Sequence, residues 1–304
     1  MLSLTSITKA LDSFFEVKKL EKDPAFSQFL PEAYNSVGIH WKSYFEEDFN
    51  KRFNGLMIRG DEKVNTVFAS VFPSEEVLKN FIKQSQKGDF LFLHHPLDMS
   101  CGDPQGKKGT GFMPISEILL KKLKEKRLSV YSCHAPLDYH KKLSTSRAKA
   151  QAFHAQVVDT FYPYGNGDAG LICEIESLST DELISKAKKI FDVPYIDFQG
   201  VKHECITKIA FVGGVCDKPS LMKEVESKEA QAVLSGEIYC RIDNEYGRNK
   251  TEEMKTYLKN TKLSLVGVSH AASEYLVMKT QMKKWFKEYC NTDCNLISLN
   301  KWWR

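Results

Sequence analysis

Phe90-Leu91-Phe92-Leu93-His94-His95-Pro96-Leu97 is the stretch that decides how this chain is read. A short apolar run of Phe and Leu predicts a buried strand, and Pro96 ends it because proline cannot donate to a sheet ladder. Adjacent residues on a strand point to opposite faces, so His94 and His95 diverge unless the chain turns there. Pro96, Asp98, Gly102, Asp103 and Pro104 supply turn chemistry that can swing both imidazoles to one mouth. Strand ends are where α/β proteins place chemistry. Taken alone, such a pair more often caps a strand or faces solvent than forms part of a metal site.

Working outward, a βαβ unit surrounds this strand. Val64 to Val71 alternates like a strand. Pro73-Ser74-Glu75-Glu76 then starts a helix, with Ser74 at the cap and Val77, Leu78, Phe81 and Ile82 on its buried face. Upstream, Ile7, Leu11, Phe14, Phe15 and Leu20 predict a helix from Thr5 to about Glu21, capped by Ser6 or Thr5. Residues 26–53 are aromatic but patternless. Gly55 to Gly60 reads as a short strand.

Downstream, a helix is predicted over 115–126 and a strand over 128–133, followed by a helix over 148–161 and glycine-rich punctuation over 162–170. Strands follow at 171–175, 206–211, 232–236 and 263–269. Helices are expected at 182–191, 220–229, 251–259 and 272–289. The alternation means an α/β fold: two α/β halves with mostly parallel or mixed sheets flanked by helices. The expected halves are residues 1–165, with His94, His95, His134 and Asp138, and residues 166–304, with His270 and Glu274.

The 304 residues carry 43 Lys and Arg against 39 Asp and Glu, a net charge of +4 that argues against nucleic acid as a partner. An apolar fraction of 42% suffices for a real core. No run approaches a membrane span, and the first twelve residues lack the apolar core of a signal peptide. The eight cysteines include no CxxC pair, so they read as reduced, mostly buried thiols of a cytoplasmic protein.

Four of the eight histidines, His94, His95, His134 and His270, lie just past predicted strands. Asp138 follows His134 by four positions, and Glu274 follows His270 by four. One helical turn puts residues four apart on the same face, so each pair can present imidazole and carboxylate to one point. Either pair alone is more often a helix-cap contact or a surface pair. Four imidazoles and two carboxylates suit two divalent metal ions, with zinc, iron, manganese and nickel all open. Six donors exceed what one catalytic zinc takes, whereas a bridged two-metal site uses them all.

These motifs resemble the GTP cyclohydrolase I type 2 homologue family, also called the Ngg-interacting factor three-like family. Matching stretches run in the family's order: Phe53 to Asp61, Leu93 to Leu97, Ser132 to Asp138, Gly165 to Gly170, Phe211 to Gly214, Leu234 to Ile238 and Val268 to Glu274. The resemblance implies a dinuclear metal site at the interface of the two halves, with His94, His95, His134, Asp138, His270 and Glu274 as ligands. It further implies a homohexamer built as a trimer of dimers. Departures fall at Tyr239-Cys240-Arg241, where the family often has His or Lys, and at Val215-Cys216-Asp217 after Gly213-Gly214.

Two function classes follow. The first is a metal-dependent hydrolase acting on a nucleotide-like or other small phosphorylated substrate through a metal-bridging hydroxide. Asp98 and His140 are then candidate proton carriers and Lys107-Lys108 a candidate phosphate contact, although a turn residue, a surface residue and a solvated loop are the plainer readings of each. The alternative is a non-enzymatic metal carrier or insertase, or a protein-interaction ring.

Overall fold

The computed structural model describes residues 2–304. They form two compact units, and the chain passes between them more than once. The first comprises residues up to Met99, Phe112–Leu137 and Met278–Asn300; the second comprises Ser100–Gly111, Asp138–Val277 and Lys301–Arg304. This division differs from one cut after residue 165, and it assigns Asp138 to the second unit.

In the first unit a five-stranded sheet runs in the order Cys294–Leu296, Val67–Ser70, Phe90–Leu93, Ser129–Ser132, Gly55–Ile58. All neighbours are parallel except the last pair. Phe90, Leu91, Phe92 and Leu93 are all fully buried, as expected of a strand covered on both faces. Leu93 pairs with Ser132, so His94 and Cys133 leave the sheet side by side. The helix Glu75–Gln84 is capped by Ser74, whose hydroxyl accepts from the Val77 N–H. Such a cap contributes about 1 kcal/mol.

The patternless aromatic segment folds into Phe26–Asn35, a 3₁₀ turn at Trp41–Ser43, and Glu47–Arg52. Tyr34, Trp41, Phe45, Phe49 and Phe53 pack there with neighbouring ring centres 5.5–6.3 Å apart. The core is a mosaic of edge and tilted contacts, which no single period announces.

The second unit holds a six-stranded mixed sheet, ordered Asp197–Gly200, Ser264–Gly267, Ala232–Ser235, Ile206–Val212, Gly167–Leu178, Gln156–Tyr164. Only its three interior neighbours, Ile206–Val212, Ala232–Ser235 and Ser264–Gly267, are parallel. Ile172, Ala210, Val212, Met222, Val225 and Leu265 belong to one buried cluster beneath it. The ends of the three parallel strands lead directly to Gly213-Gly214, Gly236-Glu237 and Ser269-His270.

Several expectations require correction. The first helix spans Leu4–Phe14, and Ser3, not Thr5 or Ser6, is its cap. The segment expected as one helix over 148–161 splits into a helix Thr145–Ala152 and a strand beginning at Gln156. Val157, Val158 and Thr160 are β-branched, and this local preference competes successfully with the weak helical spacing. The glycine-rich punctuation shrinks to a hairpin between the strands ending at Tyr164 and starting at Gly167. Asp98–Gly102 and Lys108–Met113 pair as strands rather than forming an irregular turn. The long helix after His270 contains a π segment, Met278–Met282, between Val277 and Lys283. All eight cysteines are free. Among the described residues no helix is long and apolar enough to cross a membrane.

Candidate metal centre

In the first unit, the turn at Pro96 does what the sequence asked of it. The His94 and His95 rings lie 4.6 Å apart at 88°, and the His134 ring sits 5.1 Å from the first and 4.9 Å from the second. One ring nitrogen from each of the three falls within 4.8 Å of the others. All three are buried. Two backbone contacts hold the turn: the His95 N–H donates to Val71 O at 2.9 Å, and Ser132 Oγ donates to His94 O at 3.2 Å.

Two of these imidazoles are oriented by partners on the far side of the ring. His94 Nδ1 lies 2.9 Å from Cys133 O, an acceptor, so Nδ1 carries the proton and Nε2 is left as the ligating nitrogen. His134 Nδ1 lies 2.9 Å from Asp23 Oδ2. Asp23 is fully buried and also accepts from the backbone N–H groups of Ala25, Phe26 and Ala135. Burial alone pushes its carboxyl pKa up, but the His134 ring and these donors outweigh that and hold it well below the usual carboxylate range. Asn54 completes the support, accepting from the His134 N–H at 2.6 Å and donating to Asp23 Oδ2 at 2.9 Å. Phe26 closes over the cluster, its ring 4.5 Å from His134 and 5.5 Å from His95.

The second unit carries Asp138, His270 and Glu274. His270 opens the helix His270–Val277, and the four-residue spacing brings His270 Nε2 to 3.1 Å from Glu274 Oε1. Burial disfavours a charged His270, yet the Glu274 carboxylate and Cys101 prevail and raise its pKa well above the ordinary histidine value. Asp138 Oδ1 accepts from Thr145 Oγ1 at 3.1 Å.

Gly213-Gly214 is the floor shared by these groups. A Cβ on Gly213 would stand 2.3 Å from Thr145 Oγ1 and 3.4 Å from Asp138 Oδ1; one on Gly214 would stand 3.0 Å from both Glu274 Oε1 and His270 Nε2. Beneath them lies Lys149, a fully buried lysine whose ammonium donates to Thr145 O at 3.2 Å and Ser273 O at 3.1 Å. Burial lowers its pKa to about 8 even though Glu274 and Asp138 favour its charge.

The remaining candidates have local partners. Asp98 Oδ1 accepts from the Met99 N–H at 2.8 Å at the start of a strand. His140 Nδ1 accepts from the N–H groups of Lys142 and Leu143, as a turn residue does. Lys108 forms an exposed ion pair with Asp243 at 3.3 Å. Asp23, Thr145 and Lys149 escaped sequence reading because each follows no motif spacing. Asp23 had one usable signal: Asp-Pro two residues before a helix is a common entry to a helix start.

Comparisons with known proteins agree with this architecture. The profile of the Duf34/NIF3 (NGG1p interacting factor 3) family matches residues 43–300. A Pyrococcus horikoshii protein named GTP cyclohydrolase 1 type 2 homolog is 24% identical over 239 residues, covering 77% of this chain and 84% of its own. A Methanocaldococcus jannaschii protein of the same name is 27% identical over 245 residues, covering 79% and 86%. Among solved structures, a Thermus thermophilus protein aligns with a TM-score of 0.63 at 16% identity, covering 99% of both chains. Reduced HcgD from Methanocaldococcus jannaschii aligns with a TM-score of 0.56 at 24% identity, covering 92% of this chain and 98% of its own. These structural likenesses carry the fold. With a family profile spanning most of its length, the chain belongs to the Duf34/NIF3 family.

Proposed function

We propose that His94, His95, His134, Asp138, His270 and Glu274 hold two divalent metal ions, and that the protein is a metal-dependent hydrolase of a nucleotide-like or other small phosphorylated substrate. The observation that carries the metal reading is the carboxylate behind the imidazole: Asp23 Oδ2 at 2.9 Å from His134 Nδ1. Histidines that ligate metals generally donate their other N–H to a carboxylate or carbonyl, which fixes the tautomer and raises the ligand's basicity. His94 has the same arrangement through Cys133 O. The donor set has no preference that separates zinc, iron, manganese and nickel.

Bound metals of this kind supply an activated water and stabilise negative charge on the attacked group. The chain's own residues do the rest. Asp23 and Cys133 O hold protons at Nδ1 of His134 and His94, which leaves Nε2 of each ring as the nitrogen that would hold a metal. The buried Phe26 ring packs edge-on against His134 and His95 and fixes their orientation. Thr145 Oγ1 orients Asp138. A homohexamer, assembled as a trimer of dimers in the cytoplasm, belongs to the same proposal.

Elemental analysis of protein purified without chelator, then reloaded with manganese, iron or zinc, tests the metal reading. Two metals per chain are expected, and fewer than about one overturns it. Turnover of GTP or a phosphodiester, lost in H95A, supports the hydrolase. Exchange of metal to an apo-acceptor with no turnover supports the carrier instead. Light scattering at a mass other than six chains removes the hexamer.

A further inference from the structure

On the side of His270 away from Glu274 lie Cys101 and Glu237, two donors that the six-residue set does not use. Cys101, Glu237 and His270 each present one atom within 4.8 Å of the others. All three residues belong to the second unit. Cys101 is 2% exposed and Glu237 3% exposed. Glu237 Oε2 stands 4.0 Å from His270 Nδ1, beyond hydrogen-bond range, and has no hydrogen-bond partner. A buried carboxylate oxygen with no donor in hydrogen-bond range is costly.

The backbone locks each member in place. The Glu237 N–H donates to Gly214 O at 3.0 Å, and Glu237 O accepts from the Cys216 N–H and from Ser235 Oγ, each at 3.0 Å. Cys101 lies on the Asp98–Gly102 strand of a hairpin that is pinned to the 241–243 segment. There the Gly109 N–H donates to Arg241 O at 3.0 Å, and the Asp243 N–H donates to Gly109 O at 2.8 Å. Gly102 makes the approach possible, since a Cβ there would meet the Arg241 Cβ at 2.8 Å. His270 is held by Ser273 Oγ, which donates to its carbonyl at 2.8 Å.

We propose that Cys101, Glu237 and His270 Nδ1 form a separate binding position for a thiophilic divalent cation of the zinc class. One thiolate, one carboxylate and one imidazole, with a fourth position left to water, is a donor set borderline-soft zinc accepts. Tetrahedral zinc with bonds of about 2.0–2.3 Å spaces its donors roughly 3.3–3.8 Å apart, so small rotations of these side chains suffice. Binding releases two protons to solvent, one from the Cys101 thiol and one from His270 Nδ1, because thiolate and neutral imidazole are the ligands. Neutral imidazole has one lone pair, so a cation held by Nδ1 leaves the proton on Nε2, where it donates to Glu274 Oε1. A cation here therefore withdraws His270 from the six-ligand set, and the two uses of His270 exclude each other. This position stands on its own donors, but the exclusion rests on His270 serving the proposed centre.

Cobalt(II) titration of the full chain reads the thiolate directly. The expected result is a near-ultraviolet thiolate-to-cobalt charge-transfer band in the wild type, absent in C101S and retained in H95A. E237Q, which keeps the thiol, is expected to weaken the cobalt affinity of this band about tenfold or more. Bound cobalt without the charge-transfer band overturns the proposal and leaves the six-ligand reading intact. A band that survives in C101S, or vanishes in H95A, also overturns it. No cobalt bound at any position overturns both readings.

Discussion

Asp23 Oδ2 and His134 Nδ1 lie 2.9 Å apart across 111 residues of sequence, both buried. A carboxylate that anchors an imidazole from behind makes the ring's other nitrogen a fixed donor. D23N keeps the shape and removes the charge. It is expected to weaken metal binding about 10–100-fold, the usual loss when such a supporting partner is changed. Competitive titration with a chromogenic chelator measures it. D23A should in addition lower stability by about 3–5 kcal/mol, since it strips the buried His134 and three backbone N–H groups of their partner. Unchanged metal affinity in D23N would remove Asp23 from the support of the site.

Metal removal should be visible in stability. A ligand that binds only the folded chain stabilises it by RT ln(1 + [L]/Kd), about 2.7 kcal/mol at a hundredfold excess over Kd. The midpoint of thermal unfolding is expected to rise on loading with zinc or manganese and to fall back with chelator. H134A should show a much smaller response. An identical response in H134A would mean the cation binds elsewhere.

The diglycine floor makes a steric prediction. Gly214 has φ +54, and a Cβ there stands 3.0 Å from Glu274 Oε1 and His270 Nε2. G214A should cost about 1–2 kcal/mol from the left-handed backbone alone. It should also push the two donors apart and lower metal occupancy. G213A collides instead with Thr145 Oγ1 at 2.3 Å and is expected to release Asp138. Urea unfolding together with metal analysis separates the two effects, and full occupancy in both variants would contradict the geometry.

Lys149 predicts a pH dependence with a definite sign. Burial depresses its folded pKa from 10.5 to about 8. Between those values the unfolded chain holds a proton that the folded chain has given up, so this residue's contribution to stability rises with pH. It is constant below about pH 8 and again above the unfolded value. The difference in unfolding free energy between metal-free wild type and K149M should climb through this window by at most about 1.4 kcal/mol per pH unit. Taking the difference cancels the buried cysteines and tyrosines that titrate nearby. A flat difference would mean the lysine is not the titrating group.

Some of this was legible one residue at a time. The strand Phe90–Leu93, the Ser74 cap and the His270-Glu274 spacing are local, and each came out where its period or cap chemistry put it. The segment 148–161 shows the limit. Its apolar spacing fits a helix only as far as Ala152, and the β-branched run beyond pairs with Gly167–Leu178 instead. A partner strand decides that, and a window of sequence cannot contain it.

By itself, the sequence determined the donor types, their positions at strand ends and the alternation of strands and helices, because those follow from local periodicity and backbone chemistry. Tertiary structure alone decided that Asp23 and Asn54 stand behind His134, that Gly213-Gly214 forms the floor under Asp138, His270 and Glu274, and that Cys101 meets Glu237. Contacts between residues so far apart in the chain depend on how the sheets and loops pack. Burial draws the Lys149 ammonium's pKa down, whereas the His134 ring and the buried donors hold Asp23 ionised against its own burial.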